Sequence, residues 1–179
     1  DYTTDFTMAT SVNSGEATGT KTMTATAVDD DATATNVSAA ESYTEDTALN
    51  LTDIVVSDAD NTTATITLTL SDVAAGSLNT GTSNAVTSTY DAGTGVWSAD
   101  GAITDINILL AALTFTQSSD YASDFTIATS VNSGEATGTK TMTATAVDDD
   151  ATATNLSAAE SYTEDTELNL TDIVIRAED

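Results

Sequence analysis

The sequence predicts an all-β protein built from tandem β-sandwich modules of 119 residues, with one short helix in each module. Three observations predict it. Residues 1–60 recur without a gap as residues 120–179, an offset of 119, with nine substitutions in sixty positions. A self-copy this close is the signature of a repeat array. Most of the period alternates apolar residues with Thr and Ser, the spacing of half-buried strands. A single segment follows helical spacing instead. The stretch Ser11–Asn36 returns letter for letter as Ser130–Asn155.

The phase of the repeat divides the chain into three parts. Residues 1–34 read as the closing strands of one repeat, 35–153 as one complete repeat, and 154–179 as the opening strands of another. Within the complete repeat, Ala64, Ile66, Leu68 and Leu70 alternate strictly with Thr65, Thr67 and Thr69. Val86, Ser88 and Tyr90 alternate more weakly. Tyr90 to Trp97 reads as a hairpin whose turn carries Asp91, Gly93 and Gly95. Ile106, Leu109, Leu110 and Leu113 fall at i, i+3, i+4 and i+7, which predicts a helix over 104–113 with Thr104 or Asp105 as its N-cap. Phe125, Ile127 and Val131 share one face of the next strand. Met142, Ala144 and Ala146 form the inward face of the last, and Gly134 and Gly138 bracket the turn between the two. About seven short strands at turn-punctuated spacing imply a two-sheet sandwich. Each module would be roughly 30 Å long, and an end-to-end string of them would be a rod.

Composition bounds the function. Hydrophobic residues make up 40% of the chain, which argues against wholesale disorder. There are 29 acidic residues against Lys21, Lys140 and Arg176, a net charge of −26. Phosphate recognition needs cations that this chain lacks, so nucleic acid is excluded as a partner and an anionic membrane surface is disfavoured. No segment reads as a membrane span, so direct insertion is not expected. Cys and His are absent, which removes disulfides, thiolate chemistry, zinc fingers and imidazole catalysis.

The acidic residues do suit a hard divalent cation, which takes six to eight oxygens at about 2.3–2.6 Å. The candidate ligands are the linker residues Asp29, Asp30 and Asp31, expected to meet Glu45, Asp58 and Asp60 of the following module. The second set is Asp148, Asp149, Asp150 and Glu164. There Ala177 replaces Asp58 and Arg176 stands beside it, so that site is expected to be weaker. Calcium is the expected ion. The competing reading leaves these carboxylates in solvated turns, where they promote solubility alone.

Four elements carry a family resemblance. The strand Thr139–Val147 runs into Asp148 and Asp149. Tyr43-Thr44-Glu45-Asp46 precedes the second strand, and Val56–Asp60 follows it. The Tyr90–Trp97 hairpin leads to the helix that ends in Leu113–Thr116. In this order and spacing they resemble the bacterial cadherin-like, immunoglobulin-like repeats of giant secreted adhesins of the RTX type and of matrix proteins. The resemblance implies a cadherin-like or immunoglobulin-like sandwich. It also implies a calcium-stiffened spacer outside the cell, at the cell surface or in a biofilm matrix, with neighbouring repeats as its partners. The linker here is Asp-Asp-Asp-Ala, where the family usually carries Asn-Asp followed by Ala-Pro.

Two other functions compete. In a self-assembling filament, half-modules would be completed by strand addition from neighbouring chains. A polysaccharide-binding module would need an exposed aromatic platform around Trp97 and Tyr90. Asn36, Asn61 and Asn155 stand in N-glycosylation patterns, which arise readily by chance in a chain this rich in Thr and Ser. Asp120 and Asp124 form a carboxylate pair of the kind used in acid–base catalysis. Every repeat would then be an enzyme, and no enzymatic activity is expected.

Overall fold

The computed structural model of the chain describes residues 4–176. Its strands are β1 (Phe6–Val12), β2 (Ala17–Met23), β3 (Thr33–Thr35), β4 (Glu41–Thr44), β5 (Leu49–Asn50), β6 (Val55–Ser57), β7 (Thr63–Leu70) and β8 (Gly76–Leu78). Then come β9 (Thr82–Ser83), β10 (Val86–Thr87), β11 (Thr89–Asp91), β12 (Val96–Ala102), the helix α1 (Ile103–Ala111), β13 (Thr114–Gln117), β14 (Phe125–Val131) and β15 (Ala136–Thr145). The last two are β16 (Thr152–Thr154) and β17 (Val174–Arg176). The fold is all-β, with one short α-helix among the described residues.

Six strands form the main sheet in the order β11-β12-β7-β14-β15-β4. A three-stranded sheet, β5-β13-β8, and the pair β3-β6 supply further apolar side chains to the same core. The alternation that predicted β7 buries Ala64, Ile66, Leu68 and Leu70. Trp97 on β12, opposite Leu68, and Ile127 and Val131 on β14 are wholly buried beside them. Tyr43 of β4 packs edge-on and Phe125 of β14 packs tilted against Phe115 of β13, with ring centroids 5.4 and 5.0 Å from it. These rings join the main sheet to the smaller one, which gives the module its sandwich-like layering.

The helix seals this core with Ile106, Leu109 and Leu110. It starts at Ile103, and Ala102 at the N-cap makes no side-chain bond. Asp105, one of the two expected caps, is buried instead. It accepts hydrogen bonds from Ser83 Oγ at 2.8 Å and Asn84 Nδ2 at 2.6 Å, which ties the β9–β10 turn to the helix.

Two features of the last hairpin differ from expectation. Gly138 lies within β15 and does not bracket the turn. A Cβ there would collide with the Val37 side chain, so this glycine serves close packing. Ala146 is exposed, whereas Lys140, two residues before Met142 and on the same face, is fully buried. Its Nζ donates to Glu41 Oε1 at 2.8 Å and to the Thr52 carbonyl at 3.1 Å. Glu41 also accepts from the Thr52 N–H at 2.8 Å. This ion pair spans β15 and β4, which run parallel with Met142 opposite Glu41.

The packed unit begins at Ala32, buried and held by its N–H to Glu135 Oε2 at 3.0 Å. β3 then pairs with β6, Thr33 opposite Ser57. At the other end Val147 donates its N–H to Glu45 Oε2 at 2.9 Å. The flanks repeat parts of this unit. β1–β2 has the register of β14–β15, and β16–β17 that of β3–β6.

Removing one partner of a buried ion pair leaves an uncompensated charge, which costs about 3–5 kcal/mol. Lys140→Ala should lower unfolding free energy by about that amount in urea titration. Lys140→Met combined with Glu41→Leu should recover the greater part of the loss. A double variant as weak as the single one would show that the carboxylate's bonds to Thr52 matter more than the ion pair.

Candidate functional site

The expected ligands separate into two groups at opposite ends of the packed unit. Asp29, Asp30, Asp31, Asp58 and Asp60 gather where the chain enters β3 and leaves β6. The N–H of Asp30 donates to Asp60 Oδ2 at 2.8 Å, and Asn61 Nδ2 donates to Asp29 Oδ1 at 2.9 Å. Asp58 Oδ1 accepts the N–H groups of Asp60 and Asn61 at 2.9 and 2.7 Å, closing a tight turn. The Asn61 N–H is the main reason that Asp58 titrates below the usual carboxylate value. A recess of about 320 Å³ opens between Asp30, Asp31, Thr33, Ser57 and Asp58. Asp58 also borders a second recess of about 460 Å³ that reaches Ile103 and Thr104. Most carboxylates here already accept protein N–H groups. Among the described residues no set of three or more acidic side chains is gathered closely enough to hold an ion.

Glu45 does not join them. It belongs to the end of the unit where β15 finishes, ten strand residues from the β14–β15 turn beside Ala32, a span of roughly 30 Å. The Glu45 N–H donates to the Thr145 carbonyl at 3.1 Å, and Oε2 accepts the Val147 N–H. The side chain is only 1% exposed, and Oε1 is buried with no hydrogen-bond partner. Asp148, Asp149 and Asp150 follow directly in the chain. Asp124 stands near, accepting the Ala144 N–H at 2.8 Å. Burial pushes the Tyr43 hydroxyl up, and the charges of Asp124 and Glu45 push it further. This end of the module therefore carries a concentrated negative field.

At the second junction Asp148 and Asp150 are exposed and Asp149 is half-buried, while Glu164 is exposed. Ala177, the replacement for Asp58, lies outside the described residues. Arg176 ends β17, exposed, opposite Thr152.

Other expected sites are taken up by the fold. Trp97 is fully buried and donates Nε1–H to the Asn79 carbonyl at 2.9 Å, so no aromatic platform exists there. The partly buried Tyr90 donates its hydroxyl to the Gly76 carbonyl at 3.0 Å. Asn36 and Asn155 donate their amides to the carbonyls of Asp53 and Asp172. Asp124 serves as a clip for β15, and its copy Asp5 holds the Ala25 N–H in the same way at 2.8 Å. Sequence reasoning missed Glu41, Glu135 and Lys140. Lys140 was findable, because period two puts it on the buried face of Met142.

The depressed pKa of Asp58 sets a pH window. Its hydrogen bonds contribute stability that is present above the ordinary value of 3.8 and lost as pH falls through the lower folded-state value. A carboxyl-carbon NMR titration should give Asp58 a midpoint below 3.8. A midpoint at or above it would mean that the 58–61 turn is open in solution.

Comparison with protein-family models, with curated proteins and with solved structures gave no match to this chain.

Proposed function

We propose that this chain is a structural repeat, a secreted spacer of a bacterial surface adhesin or matrix fibre whose module ends are stiffened by calcium. The single observation that carries the reading is the orphaned Glu45 Oε1. A buried carboxylate oxygen without a donor is costly, and charge makes it more so. A hard cation is the partner that would satisfy it, and Asp148, Asp149 and Asp150, which follow Val147 in the chain, would have to close on Glu45 to supply further oxygens. The donor set is all oxygen, which suits calcium over softer metals. At the entry to β3 the fit is poorer, because Asp29, Asp58 and Asp60 already accept protein N–H groups.

The ion would supply charge compensation between Glu45 and the linker. The chain's own residues do the positioning: the Val147 N–H fixes Glu45 Oε2, and the β4–β15 ladder fixes the strand from which the linker departs. Without the ion, adjacent carboxylates repel and the linker loosens. Repetition fits a mechanical role, since each module then performs the same task. The extracellular setting rests on the family resemblance, and the absence of Cys leaves stabilisation to the core and the ion.

Calcium at a hundred times its dissociation constant should raise unfolding free energy by about 2.7 kcal/mol. Glu45→Gln should remove most of that gain while folding normally in chelator. Small-angle scattering should show a longer, stiffer particle with calcium than in chelator. An absence of binding heat, with scattering unchanged by chelator, would overturn the reading.

A further inference from the structure

We propose that the outer face of the six-stranded sheet is a self-association surface, on which a second copy of this chain packs face to face, sheet against sheet. This goes beyond the spacer reading and needs neither calcium nor strand exchange.

The register of the sheet builds the face. Thr89, Ser98, Thr67, Ser130 and Thr137 stand opposite one another in turn, a row of hydroxyls across β11, β12, β7, β14 and β15. The next row runs Val96, Thr69, Ala128 and Thr139 over the last four of these strands. On β15 every outward position from Thr137 to Thr145 is Thr. The chain carries 29 acidic residues, yet the outward positions of the six strands hold only Asp91 and Asp100, both on the β11–β12 side. They hold no Lys, Arg, Glu or aromatic ring. The two carboxylates are engaged within the sheet. Asp91 Oδ1 accepts the Gly93 N–H at 2.8 Å, and Asp100 Oδ2 accepts the Thr65 hydroxyl.

These features favour a second copy over other partners. A highly charged partner gains little from a face so nearly neutral. A Ser or Thr hydroxyl both donates and accepts, so an identical face can satisfy each hydroxyl that it buries. Thr89 Oγ1 and Ser98 Oγ already pair in this way at 2.9 Å. The Thr methyls supply apolar contact, and side chains this short let two sheets approach to the usual spacing of about 10 Å. Strand spacing and rise make the face roughly 24 Å by 20–30 Å, an area of roughly 500–700 Å². Two such faces would bury roughly 1,000–1,400 Å², the lower edge of specific interfaces, so the contact is weak. The same patch on both copies makes it two-fold symmetric. A net charge of −26 keeps copies apart, and a face nearly free of charge is where their approach costs least. In a repeat array the contact would recur with each module and gain by avidity.

Sedimentation velocity of the full-length chain, in chelator and about 1 M salt, tests this. The average mass should rise toward that of a dimer between roughly 10 μM and 1 mM. Lowering the salt to about 0.01 M extends screening to about 30 Å and should weaken the association. Thr67→Glu combined with Ser130→Glu sets like charges face to face and should weaken it by roughly tenfold or more. Thr139→Glu is a second, independent variant of the face with the same expected direction. Thr80→Glu combined with Ser119→Glu adds the same charge at exposed positions off this sheet and should associate as the unaltered chain does. Fluorescence of the buried Trp97 verifies that each variant is folded. Monomeric mass at every concentration, or equal association in the face and control variants, would overturn the proposal. Association in chelator alongside a failed calcium test would leave the spacer reading alone at fault.

Discussion

The buried pair between Lys140 and Glu41 joins residues 99 apart in sequence and sets the geometry of everything near it. Parallel pairing is slightly weaker per residue than antiparallel pairing, and β4 offers only four residues to it. Register is therefore the vulnerable quantity. A slip of one residue would bury Ser42 and Thr44 and expose Glu41 and Tyr43. The ion pair makes that slip prohibitive, since Lys140 would be left in the core without its partner. With register fixed, Tyr43 reaches Phe115 and Phe125, and Glu45 arrives beneath Val147. The aromatic core and the candidate ion site both follow from one polar contact.

The repeat offers an internal experiment on what sequence alone decides. Phe125, Val131 and Met142 are buried, while their copies Phe6, Val12 and Met23 are 44–58% exposed in a hairpin of the same register. Local pattern and turn chemistry thus specify the hairpin. Asn132 and Ser133, and their copies Asn13 and Ser14, all take positive φ, the conformation such turns need. Burial is set by what lies opposite. Covering a large apolar side chain is worth about 1.5–3 kcal/mol, so the exposed copy holds its shape without the contribution that stabilises the module.

The β architecture was legible because alternation and helical spacing are both local signals. β7, the Tyr90–Trp97 hairpin and the helix were each readable from fewer than a dozen residues. The burial of Trp97 was not, since an aromatic on a hairpin reads equally as a platform or as core until its neighbours are known. The division of the acidic residues was also hidden. Proximity in sequence suggested that Glu45 meets the linker before it. The parallel β4–β15 pairing carries it instead to the linker after the module, and no local pattern reports which strands pair across a hundred residues. Asp105 misled for a related reason: a capping residue type at a helix start found better donors in Ser83 and Asn84.

The acidity itself has a structural use that limits what can be asked of it. Asp5, Asp58, Asp72, Asp91, Asp124, Glu41, Glu45 and Glu135 each accept a backbone N–H, in a chain without Pro to stiffen its turns. A carboxylate so engaged has fewer lone pairs to give an ion, and moving it would open the turn it closes. High negative charge is therefore weak support for cation binding at any one of these residues. Glu45 differs because one oxygen closes the strand end while the other is buried without a donor. The module is unequal end to end in consequence: its entry carries carboxylates committed to its own backbone, and its exit carries one with capacity left over. In a head-to-tail array every joint would bring one exit to one entry, so an ion held at the exit would stiffen each joint from the same side.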